Sequence, residues 1–111
     1  MANSSELAND TRVFEIKENM CIMERMRNLE KNLRAVANRR RLSILKYLKK
    51  NKSASVGEIA YEIDLSFKAT SRHLRMLLAV DIVEKEQKAL QAFYSLSSIQ
   101  SPEIRKVLSM L

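Results

Sequence analysis

A mostly helical chain of five helices with one small β-hairpin is what this sequence predicts. Three observations predict it. The 111 residues include one Gly and one Pro, which favours helices and short connections over a β-sandwich. Apolar residues recur at spacings of three and four through most of the chain. Two short runs, IVEKE and QAFYSL, break that period and read as strands. Hydrophobic residues make up 46%, enough for one core of modest size.

Residues 1–10 are small and polar and read as a disordered tail; 11–111 read as a single domain. In residues 11–36, Val13, Ile16, Met20 and Met23 form one apolar series. Ile22, Met26, Leu29, Leu33 and Val36 form another. Two stripes on one helix call for two partner surfaces, its own core and a second copy of the chain. A second helix over 39–50 takes Asn38 as its N-cap and turns Leu42, Ile44, Leu45, Tyr47 and Leu48 inward. A third follows Ser55, which has Glu58 at capping-box spacing, with Ile59, Ala60 and Ile63 inward. Asp64 and Leu65 make a short turn. Ser66 then caps a fourth helix over 66–80, where Leu74 and Leu77 point inward with Thr70 on the same face. Strands over 82–86 and 91–96 flank the QKAL connection, which lacks the Gly or Asn of tight turns. Ser101, Pro102 and Glu103 start a last helix. Its stripe of Ile104, Val107, Leu108 and Leu111 is expected to face the first helix.

Charge is unevenly spread. The formal net charge is +7, and residues 31–57 hold nine basic side chains and no acidic one. The other 84 residues carry 11 basic and 13 acidic groups. A polyanion such as nucleic acid is the partner this suggests, with a solvated basic face as the bland alternative. Arg39, Arg40 and Arg41 sit at the positive end of the second helix, where cations are disfavoured; phosphates or acidic side chains would offset that.

Helix, helix, tight turn, helix, hairpin is the order of a winged helix-turn-helix, whose second motif helix enters the major groove. Opposite its leucines the fourth helix carries Lys68, Ser71, Arg72 and Arg75. Ser66, Thr70 and Ser71 offer hydroxyls for phosphates and bases. Phe67 either touches a thymine methyl or staples the helix start.

The stretches ANRRRLSILKYL, SVGEIAYEIDLSFKATSRHLRMLLAVDIVEKE and FYSLSS resemble the ArsR/SmtB family of bacterial and archaeal repressors, over residues 33–98. The resemblance implies a homodimeric winged-helix repressor in the cytoplasm, on the nucleoid when bound to double-stranded DNA with two-fold symmetry. It implies a dimer interface from the first and last helices, here Ile16, Met20, Met23, Ile104, Leu108 and Leu111. Its DNA-contacting positions fall on Ser66, Phe67, Lys68, Ser71, Arg72 and Arg75, with Lys85, Lys88 and Gln91 on the wing. We add Thr70, Arg39 and Arg40 from their chemistry. The chain departs from the family at both of its common metal sites. Ser55 and Gly57 stand at the Cys-x-Cys positions, Ser98 and Gln100 at Asp-x-His, and RKVLSML has no His. The wing lacks the frequent Arg-x-Gly tip, and Phe67 replaces a frequent Gln.

One His and one Cys are too few for a tetrahedral zinc site within the chain without acidic ligands, so no metal and no cofactor is expected. His73 reads as a helix-surface or DNA-contact residue, or as packing between the motif helices. Cys21 reads as a buried inert thiol; near a dimer axis it would allow a redox-responsive regulator. No Ser-His-Asp grouping, P-loop or carboxylate pair stands out, so an enzyme is not expected. No run approaches the roughly 18–20 apolar residues of a membrane span, and MANSSELAND has no secretory apolar region. A soluble regulator whose effector the sequence does not name is the leading expectation. A winged-helix protein-interaction module is the other.

Overall fold

The computed structural model describes the backbone from residue 4 and the side chains from residue 19. In chain order the elements are α1 (Ser4–Val36), α2 (Arg39–Asn51), β1 (Ser53–Ser55), α3 (Val56–Glu62), α4 (Phe67–Ala79), β2 (Val83–Lys88), β3 (Gln91–Leu96) and α5 (Pro102–Ser109). The five helices and the antiparallel hairpin are those read from the sequence. The chain divides into two compact units, Met1–Glu30 and Lys31–Leu111.

In the first unit α1 starts at Ser4, seven residues before the start read from its apolar period and inside the expected tail. Glu6, Leu7 and Ala8 are strong helix formers and extend the helix without any apolar stripe to mark it. From Asn19 to Glu30 every side chain is exposed.

In the second unit the caps act as their residue types dictate. Asn38 has extended backbone and accepts from the Arg40 and Arg41 N–H groups. Ser55 accepts from the Glu58 N–H at 3.2 Å. The apolar faces of α2, α3 and α4 then meet in one core of Ile44, Leu45, Leu48, Ile59, Leu74 and Leu77, closed by Ile82, Val83 and Tyr94. Leu42, Tyr47 and Ile63 pack at its edge. Asp64 turns the chain from α3 to α4 at φ 54°, a left-handed conformation that Asp tolerates better than most residues.

The sheet has the order β1-β3-β2. β1, absent from the sequence reading, pairs Ala54 with Tyr94; three residues whose pairing is entirely non-local leave no periodic signal. In the hairpin, Lys88 pairs with Gln91, so Gln87 and Lys88 belong to the strand and the turn is only Ala89 and Leu90. Ala89 takes φ 54° there.

α5 packs its stripe within its own chain. Ile104 is 1% exposed and belongs to the core, with Val107, Leu108 and Leu111 packed against it. The stripe closes the chain's own core, which includes Ala35 and Val36 at the end of α1; beside α2 the Lys49 ammonium donates to the Leu108 carbonyl at 2.8 Å. At its start the Ser101 hydroxyl makes no cap bond. It accepts instead from the Asn32 amide at 3.3 Å, and the same amide donates to Glu103 Oε1 at 2.7 Å. The Asn32 amide, then the Glu103 backbone N–H and the Ser101 hydroxyl, hold the Glu103 carboxyl below its ordinary pKa against the opposing effect of burial.

Candidate nucleic-acid interface

Ser66 fixes where α4 begins. Its hydroxyl accepts from the Ala69 N–H at 3.1 Å, leaving the Phe67 and Lys68 N–H groups without a partner inside the helix. The apolar period fixes which side α4 shows. Thr70, Leu74 and Leu77 are buried. Phe67, Lys68, Arg72 and Arg75 are exposed, Ser71 is half-buried, and no Asp or Glu occurs in α4. Open amides at a helix start and unopposed cations along one face favour anionic oxygens.

Thr70 departs from the expectation. It is fully buried on the leucine face, and its Oγ1 has no hydrogen-bond partner. A side chain sealed in its own core cannot touch DNA, so Thr70 leaves the candidate face.

The wing lies beside α4. Phe67 and Ser71 line a groove of about 330 Å³ together with Lys85, Gln91, Gln87 and Leu90. The fold thus joins the helix and wing residues expected to work together. Lys88 stands apart. Its ammonium lies 3.8 Å from Glu86 and 5.6 Å from the Phe93 ring centre, an exposed arrangement that holds it weakly. Arg75 is close enough to Tyr94 to oppose the rise that burial imposes on the phenol. Gln87 and Leu90 were not foreseen. Leu90 is 98% exposed, and an apolar residue in a tight turn was the available signal.

Behind α4 the start of α2 joins the site. Arg41 Nε donates to His73 Nδ1 at 3.3 Å, and Arg41 Nη1 donates to the Ala35 carbonyl at 3.2 Å. Partial burial, and then the charges of Arg41, Arg40 and Arg72, hold the imidazole below its usual pKa of 6.5. Arg40 and Arg72 thus both act on this one ring, from α2 and from α4. His73 is half-buried on α4 and faces the start of α2 through Arg41.

The expected dimer residues divide. The Ile16 side chain lies outside the described residues. Met20 and Met23 are 65% and 53% exposed. Ile104 is buried in its own core, and Leu108 and Leu111 are half-buried. Cys21 is exposed rather than buried. At the metal-site positions, Ser55 is a cap and the Gln100 amide donates to the Ile82 and Ser97 carbonyls. Among the described residues no three His, Cys, Asp or Glu side chains gather, and no helix is long and apolar enough to cross a membrane.

Residues 38–85 match the family described as bacterial regulatory protein, arsR family. Transcriptional activator HlyU of Vibrio cholerae is 39% identical over 82 residues, 68% of this chain and 75% of HlyU. The chain belongs to the ArsR family. Reduced HlyU has a solved structure to which this fold is similar with a TM-score of 0.68 at 34% identity, covering 81% of this chain and 90% of that one. Nodulation protein NolR of Rhizobium meliloti is 42% identical over 66 residues, 60% of this chain and 53% of NolR. At the level of fold alone, the homodimeric winged helix-turn-helix DNA-binding domain of Mb0332 from Mycobacterium bovis matches with a TM-score of 0.68 at 20% identity, over 79% of this chain and 78% of its own. This ArsR-family protein is a DNA-binding transcriptional regulator and not an enzyme.

Proposed function

We propose that this regulator works as a homodimer that occupies a two-fold symmetric operator and represses by occupancy. The α4 of each copy enters the major groove, in half-sites about 34–36 Å apart. The observation that carries the reading is the exposed, acid-free face of Phe67, Lys68, Arg72 and Arg75, seated by buried Leu74 and Leu77 and flanked by the wing. Ser66, Ser71, Lys85, Gln91 and Arg40 add donors around it, and Lys88 and Arg39 lie further out. Dimerisation through α1 is supported by the uncovered Met20, Met23 and Met26, flexible apolar side chains suited to a second copy. Release is not set at the family's common metal sites, since a capping Ser55, Gly57, Ser98 and a hydrogen-bonded Gln100 offer no thiolate or imidazole.

Selection of bound fragments from genomic DNA tests this. A palindromic sequence should emerge, and its affinity should fall steeply with salt, log K against log salt having a slope of about −0.9 per phosphate neutralised. The double variant Arg72→Glu and Arg75→Glu should keep its helical content and lose the operator. Retained affinity in that variant would sink the reading.

A further inference from the structure

Phe67 is the first residue of α4 and is 63% exposed. A residue that stapled the helix start would precede the cap and pack against the next turn; Phe67 follows the cap and its ring faces solvent. On the exposed face of α4 it is the apolar group beside Lys68, Ser71, Arg72 and Arg75, with Lys85 across the groove. Such a ring adds nothing to phosphate binding. Among the major-groove edges of the four bases, the apolar group is the C5-methyl of thymine. Residues at the start of a recognition helix are the ones that reach base edges. Ser71, one turn later on the same side, lines the same groove and offers a hydroxyl beside the ring.

We propose that Phe67 is a specificity-determining residue that reads a thymine by its methyl group, once in each half-site. This rests on the reading that α4 enters the major groove. The probe is a duplex selected from a random library by the wild-type protein, with each thymine replaced in turn by deoxyuridine, which removes the methyl and leaves the pairing edge intact. One thymine per half-site should be methyl-dependent. Its replacement should weaken wild-type binding about fourfold per half-site, the value of one buried methyl group. Phe67→Ala should bind the thymine and deoxyuridine duplexes equally, while retaining salt-dependent binding and native helical content. Deoxyuridine scanning with no sensitive position, or discrimination that survives in Phe67→Ala, would overturn the proposal and leave DNA binding standing. Absence of any selected duplex would instead overturn the DNA-binding reading beneath it.

Discussion

Arg41 bonds His73 through Nε at 3.3 Å while its Nη1 holds the Ala35 carbonyl at 3.2 Å. One guanidinium thus ties the C-terminal end of α1 to the helix that presents the candidate DNA face. The carbonyls at a helix end lack intrahelical partners, and a cation there is favourable. As the acceptor of that bond, Nδ1 is the ring nitrogen without a proton in this arrangement. Arg41→Ala should therefore lower unfolding stability by about 1–2 kcal/mol. Arg41→Lys should recover only part of it, since an ammonium lacks the fork that spans both partners. Urea melts of the three proteins check this, and equal stabilities would remove the tie from the fold.

The same imidazole makes stability depend on pH. Its folded pKa lies below 6.5, so the unfolded chain binds the proton more readily. Stability is then fully present above pH 6.5 and declines as pH falls through the folded value. Arg41, Arg40 and Arg72 are the charged groups around it, and all three oppose the proton. His73→Asn should remove this loss and flatten the stability profile below pH 6.5. The Glu103 carboxyl, also lowered, adds a separate loss below about pH 4.5, which Glu103→Gln should remove.

Thr70 buries a hydroxyl that has no partner. Leaving such a group unsatisfied costs free energy that an apolar group of similar shape avoids. Thr70→Val should raise stability by about 1 kcal/mol and leave operator affinity unchanged. A loss of affinity in that variant, with the fold intact, would return Thr70 to the DNA-facing set.

Ala89 holds φ 54° in the wing turn, where a Cβ is strained and glycine is not. Ala89→Gly relieves that strain but frees the unfolded chain, so a net gain of about 0.5 kcal/mol is expected. A shift in the thermal midpoint measures it; a lower midpoint would mean that the turn holds no strain.

Side chains that act locally were the most legible in the sequence. Asn38, Ser55 and Ser66 cap the helices they were read to cap, because a short polar side chain beside an apolar period carries its mechanism with it. The exposed face of α4 was legible for the same reason, its leucines fixing which side is hidden. Ser101 shows the limit of that reasoning. Its residue type was right for a cap, but Asn32, 69 residues away, takes the hydroxyl. Ile104 shows another. A stripe says that a helix needs cover and not whose; here the core built from α2 and the end of α1 supplies it. Thr70 could be read either way because it carries a hydroxyl on a leucine face. The groove between α4 and the wing, with Leu90 on its rim, exists only once β2 and β3 have paired, and no local period reports that.

The gathering of Arg40, Arg41 and Arg72 around one neutral imidazole gives dissolved salt two opposite effects. Ions at about 0.15 M screen charges over roughly 8 Å, so they relax the mutual repulsion of the free domain and tighten its fold. The same ions compete for phosphates and loosen the complex. The free protein is in that sense short of counterions, and a bound duplex supplies them. DNA should therefore protect the domain against unfolding most strongly in dilute buffer, where the protein alone is weakest.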